Sequence, residues 1–119
     1  MTENRCDTDP ALDALDALVA ELRSCTTQLE RARERAERLA EQRREGRPWR
    51  ELVVHEQRPL AVELISSVLA VLADAGSRWR REEALALHAD GLSINRIAAL
   101  FGVTRQRISA LLRDGGAVG

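Results

Sequence analysis

The sequence predicts an all-α protein: a long coiled-coil-like N-terminal helix, a short helical bundle, and a C-terminal pair of helices around a tight turn. Three observations carry that expectation. Aromatic residues make up 3% of the 119 positions and include no Tyr, so a core must be built from Leu, Val, Ile and Ala. The 7 Gly and 3 Pro are too few to punctuate an all-β chain. Apolar residues recur at three- and four-residue steps along most of the sequence, the period of a helix with one buried face.

Composition excludes several classes. No apolar run reaches the roughly 18–20 residues a membrane span needs; the longest candidate, 60–75, is interrupted by Glu63, Ser66, Ser67 and Asp74. The acidic start (Glu3, Asp7, Asp9) lacks the apolar stretch of a secretory signal. Cys6 and Cys25 form neither a CxxC pair nor a disulfide framework, so a reducing cytoplasm is expected. Net charge is −1, but its distribution is uneven: residues 93–113 carry Arg96, Arg105, Arg107 and Arg113 and no carboxylate.

Taken in order, residues 1–10 read as a disordered tail ended by Pro10. Residues 11–46 follow a heptad seam of Leu15, Leu18, Leu22, Cys25, Leu29, Ala32, Ala36 and Leu39, with Ala11 upstream and Arg43 ending it. A spacing of about 3.5 held over three heptads signals a coiled coil. Flanking sites such as Glu21, Gln28, Arg33 and Arg35 give no clean charge code, and two partners fit the seam. One is a second copy of the chain, making a homodimer through 11–45; the other is the chain's own middle helix, folded back. Cys25 is expected to be a buried, reduced thiol.

Residues 47–76 read as a linking bundle. A short helix is expected over 48–57, opened by Pro48 and closed before Pro59. The segment 60–75 is apolar on nearly every side, with Gly76 expected to end its helix and Ser77 to cap the next. Trp49 and Trp79 are expected to fill core gaps. An offset of 45 residues aligns Gly46 with Gly91, Trp49 with Ile94 and Leu52 with Ile97, so 44–65 has the outline of a degenerate copy of the C-terminal pair. Coincidence between two amphipathic helix pairs is the alternative.

The most informative stretch is SINRIAALFGVTRQRISALLR at 93–113. Ser93 caps a helix whose Ile94, Ile97, Ala98 and Phe101 share one face; Gly102 breaks it, and Thr104 opens a second helix with apolar Ile108, Leu111 and Leu112. Two helices crossing through so short a turn need a small residue at their contact and a Gly free to take positive φ. Ala98 and Gly102 supply these two, and with a buried Val103 and second-helix anchors at Ile108 and Leu111 they match the marked positions of the family that the stretch resembles. The stretch resembles the helix-turn-helix of bacterial DNA-binding proteins. FGVTRQRIS is especially similar to the sigma-factor C-terminal domain and to the DNA-binding tail of resolvases and invertases. The resemblance implies a DNA-binding domain over 77–113, followed by a flexible tail at 114–119.

Such a motif lays its second helix in the major groove. At about 100° per residue, Gln106, Ser109, Ala110 and Arg113 point away from Ile108, and Arg105 and Arg107 flank that face. The expected base contacts are Arg105 to guanine, Gln106 to adenine, Ser109 as an adaptable contact and Ala110 against a thymine methyl. Asn95, Arg96, Thr104, Arg107 and Arg113 are the expected phosphate contacts.

His55 and His88 lack partners at metal-ligand spacing, and no phosphate loop or nucleophile elbow is present, so no metal, cofactor or enzymatic activity is expected. These readings converge on a sequence-specific binder of double-stranded DNA, a small bacterial transcriptional regulator at the nucleoid. The alternative is an adaptor whose coiled coil binds a protein partner, with the helix-turn-helix secondary.

Overall fold

The computed structural model describes residues 8–118, with side chains as far as Asp114. Among the described residues the fold is all-α: α1 (Pro10–Arg44), α2 (Trp49–Val54), α3 (Ala61–Ala89), α4 (Ile94–Phe101) and α5 (Arg105–Val118). Most of the expected 1–10 tail, and Cys6 with it, lies outside the described residues. Its last two residues begin the fold: the Asp9 carboxylate accepts the Leu12 N–H at 3.1 Å and its carbonyl the Asp13 N–H at 2.9 Å, which makes Asp9 the N-cap of α1.

The expected seam of α1 divides into two rows with different fates. Cys25 and Ala32 are buried and Leu18 and Leu39 half-buried, so one row turns toward the chain's own interior. Leu15, Leu22, Leu29 and Ala36, the alternate row, are exposed. The inward side of α1 also holds Ala14, Glu21, Gln28 and Arg35. Small residues at Ala14, Cys25 and Ala32 let a neighbouring helix approach closely. Cys25 is therefore a buried free thiol, as expected, facing this chain's own interior.

Gly76 does not end a helix. α3 runs through Gly76 and Ser77 to Ala89 without interruption, merging the two helices expected on either side. The three glycines that do terminate helices, Gly46, Gly91 and Gly102, have positive φ and carry the same pair of bonds. The residue after each donates back to the carbonyl five positions earlier, as Leu92 does to Leu87 at 3.1 Å. Each is followed two positions on by a helix starter: Pro48, Ser93 or Thr104. Gly76 is followed at that position by Arg78, a good helix former, and α3 absorbs it at a cost of about 1 kcal/mol relative to Ala.

α2 is shorter than expected, since His55 caps it by returning its backbone N–H and ring Nδ1 to the Glu51 carbonyl (3.2 and 2.9 Å). Trp49 is not in the core: it is 54% exposed, with the Arg43 guanidinium 5.4 Å from its ring. Trp79 is half-buried. Leu52 and Ile97, paired by the 45-residue offset, are both buried, but Val53 is exposed where Ala98 is buried, so the likeness already fails within α2. α5 continues to Val118, across the described part of the 114–119 stretch expected to be a tail.

The chain divides into two compact units. One joins α1 up to Val19 with everything from Asp74 onward; the other is Ala20–Ala73. In the first, the opening turns of α1 and the last turns of α3 line a common apolar groove, with Leu12 and Leu15 on one side and Trp79, Leu85 and Ala89 on the other. In the second, the buried side chains are Cys25, Ala32, Leu52 and Val68, contributed by α1, α2 and α3. Arg35 reaches from α1 to the Gln57 carbonyl at 3.1 Å and to the Pro59 carbonyl, holding the start of α3 against it.

Candidate nucleic-acid interface

The C-terminal end of α3, α4 and α5 close around one small core. Ala84, Ile97, Ala98 and Ile108 are buried together, with Leu87, Leu92, Ile94, Phe101, Leu111 and Leu112 packed around them. Ile97 and Ile108 are 0% exposed. Full burial of an Ile side chain stabilises by about 1.5–3 kcal/mol, so these two pin α4 and α5 to each other. Ala98, the expected small contact residue, is 7% exposed at that junction.

The turn between α4 and α5 leaves its backbone satisfied. Gly102 sits at φ 69° and ψ 34°, the left-handed region. That conformation lets the Val103 N–H reach the Ala98 carbonyl at 3.1 Å and the Gly102 N–H reach the Ala99 carbonyl at 3.3 Å. Thr104 Oγ1 then accepts the Arg107 N–H at 3.1 Å and caps α5, as Ser93 Oγ accepts the Arg96 N–H at 3.1 Å and caps α4. Val103, expected to be buried, is 39% exposed: it follows the reversal of the chain, where only one side of a residue can be covered.

The predicted contact residues lie as follows. Arg105, Gln106, Arg107 and Arg113 are exposed along α5, and Thr104 is exposed at its start. Ser109 and Ala110 are half-buried, small side chains that keep the outer surface of α5 low between the long ones. Asn95 and Arg96 are exposed on the first turn of α4. Among the described residues, no ion pair engages Arg96, Arg105, Arg107 or Arg113, whereas Arg33, Arg47 and Arg58 are each tied to a glutamate. From 93 to 113 a row of guanidiniums without a carboxylate, beside two capped helix starts, forms an anion-attracting surface; Asp114 ends it.

Two residues escaped the sequence reading. Arg80, on α3, lies 4.3 Å over the Phe101 ring and covers the outer side of that core aromatic. No local pattern joins positions 21 apart, so only tertiary packing reveals the contact. Leu100 is exposed on α4 next to the turn; its offset from the Ile97–Phe101 face was visible in the helical period. His88, considered and set aside as a metal ligand, shares a hydrogen bond between Nδ1 and the Leu92 carbonyl at 3.1 Å.

Residues 75–119 match the family model of the homeodomain-like domain. With the three-helix packing, that match defines a helix-turn-helix motif of the DNA-binding class. It takes in the C-terminal part of α3 with α4 and α5, well under half of the chain, and names neither the sigma-factor domain nor the resolvase and invertase tails. No curated protein and no solved structure matches the chain.

Proposed function

We propose that this protein binds double-stranded DNA sequence-specifically and acts as a small transcriptional regulator in the bacterial cytoplasm, at the nucleoid, reading the major groove with α5. The observation that carries this reading is the exposed face of residues 93–113, with four arginines and no carboxylate before Asp114, held rigid by the fully buried Ile97 and Ile108. Arg105 offers paired donors for the two acceptors of guanine, and Gln106 a donor and an acceptor for those of adenine. Ser109 and Ala110 complete the base-facing surface, and the low profile of both lets the helix enter the groove. Asn95, Arg96, Thr104, Arg107 and Arg113 hold phosphates on the groove walls. One recognition unit of this size gives limited affinity, so two copies bind half-sites one helical turn apart, about 34–36 Å, or a multiple of it.

The test is duplex selection followed by salt titration of the selected site. The three arginines assigned to phosphates give a log–log slope of roughly −3 per protomer. Gln106→Ala is expected to relax one base position by about 1–3 kcal/mol, whereas Arg113→Ala weakens all sequences alike and lowers the slope by about 1. Affinity indifferent to salt would overturn the proposal, and an even loss across sequences for Gln106→Ala would overturn the base assignment.

A further inference from the structure

We infer that α1 and the first half of α3 pair with the same two helices of a second copy, forming a four-helix bundle. The contact surface is Leu22, Leu29, Val62, Ile65 and Leu69. The inference deepens the DNA-binding proposal and rests on it for the purpose of pairing, not for the geometry.

The first observation is the chemistry of α3. Between 62 and 73 it carries one charged residue, Glu63, which is already engaged by Arg58 at 2.6 Å and by the Leu60 N–H at 2.8 Å. The exposed positions of this stretch are otherwise Val62, Ile65, Leu69, Val71, Ser66, Ser67, Ala70 and Ala73; Val62 and Leu69 are each 63% exposed. A helix apolar on nearly every side belongs in an interior, and the chain itself covers only the side bearing Val68.

The second observation is that α1 offers a matching row on the same side. Arg35 is bonded to the carbonyls of Gln57 and Pro59, which sets α1 level with the start of α3. Ten residues back along α1 stands Cys25 and nine residues forward from Pro59 stands Val68, both buried. Residues 59 and 60 precede α3, so the two distances match to within a few ångströms, and an antiparallel pairing sets Cys25 level with Val68. At about 100° per residue, Leu22 and Leu29 lie roughly 60° and 40° from Cys25, and Ile65 and Leu69 roughly 60° and 100° from Val68, all in the same rotational sense. For antiparallel helices facing each other, equal-sense offsets fall on the same side of the layer. Both rows therefore form one apolar face.

The third observation is its size. The five side chains expose roughly 400 Å² of apolar surface, about what one partner contributes when a standard interface buries some 800 Å² per side, a little over half of it apolar. A patch of this size is of the order of the largest one a monomer exposes, and such patches often mark an interaction site. A second copy fits it because an uncharged face does not repel its own image, and a two-fold contact presents identical patches to each other. Two helices per chain then complete a bundle. A parallel zipper along the full expected seam is ruled out, because Cys25 and Ala32 are already buried within one chain.

Sedimentation equilibrium of the full chain tests this. The wild type is expected at twice 13.2 kDa at tens of micromolar, with a thermal midpoint that rises with concentration. Val62→Glu and Leu69→Glu replace side chains already largely exposed, so each is expected to keep its helical circular dichroism and sediment as a monomer; Leu22→Arg is the third variant from the other helix. A monomeric wild type, or dimers in the glutamate variants, overturns the inference. The DNA reading is scored separately. Leu69→Glu is expected to keep the same base preference at a single half-site while losing at least tenfold in affinity for the paired site. Lost base preference in an intact dimer would count against the DNA reading alone.

Discussion

Replacing Gly by Ala at 76 and at 102 is expected to move stability in opposite directions, although the added methyl meets nothing within 4 Å at either site. With sterics equal, backbone conformation decides the sign. Gly76 lies inside the continuous helix α3, where Ala is favoured over Gly by about 0.8–1 kcal/mol, so Gly76→Ala is expected to stabilise by roughly that amount. Gly102 is held at φ 69°, where an L side chain costs about 1–2 kcal/mol; reduced freedom of the unfolded chain offsets part of it. The net expectation for Gly102→Ala is a loss of about 1 kcal/mol. Urea unfolding followed by circular dichroism reads both. With a slope of about 1–3 kcal/mol/M, each change moves the midpoint by some tenths of molar, upward for Gly76→Ala and downward for Gly102→Ala, at constant slope. A destabilised Gly76→Ala would mean that α3 is broken at 76 after all, and a neutral Gly102→Ala would mean that the turn does not need the left-handed region.

Three further substitutions probe the packing around α4 and α5 and the start of α1. Ile108→Ala empties a fully buried site and is expected to cost about 2–5 kcal/mol in chemical denaturation, with DNA affinity falling although no contact residue is touched. Arg80→Ala removes the guanidinium over Phe101; a loss of about 0.5–1 kcal/mol is expected, restored in part by Lys, and no change at all would refute the cation–π contact. Asp9→Ala deletes the N-cap of α1 and is expected to destabilise by about 1 kcal/mol in thermal melts, with Asp9→Asn close to wild type.

Local chemistry was enough to set much of this molecule from the sequence. The helix starts at Ser93 and Thr104 and the break at Gly102 follow from which residues can cap or take positive φ, and these bonds close within a few positions. The burial of Ile97, Ala98 and Ile108 follows from helical period alone, because one stripe of a short amphipathic helix has a single place to go. Even the miss at Gly76 was local: the working terminators are glycines with a helix starter two positions on. What tertiary structure decided was the choice among equivalent faces. The 3.5-residue pattern of α1 marks Leu22 and Cys25 alike as apolar, and nothing in that spacing says which row the chain keeps for itself. The packing of Cys25 and Ala32 inward and the exposure of Leu22 and Leu29 arise because small residues let helices approach closely while Leu holds them apart. Arg80 over Phe101 and Arg35 on the Gln57 and Pro59 carbonyls belong to the same kind: contacts between residues some 20 positions apart, which no local rule encodes and only the assembled helices bring together.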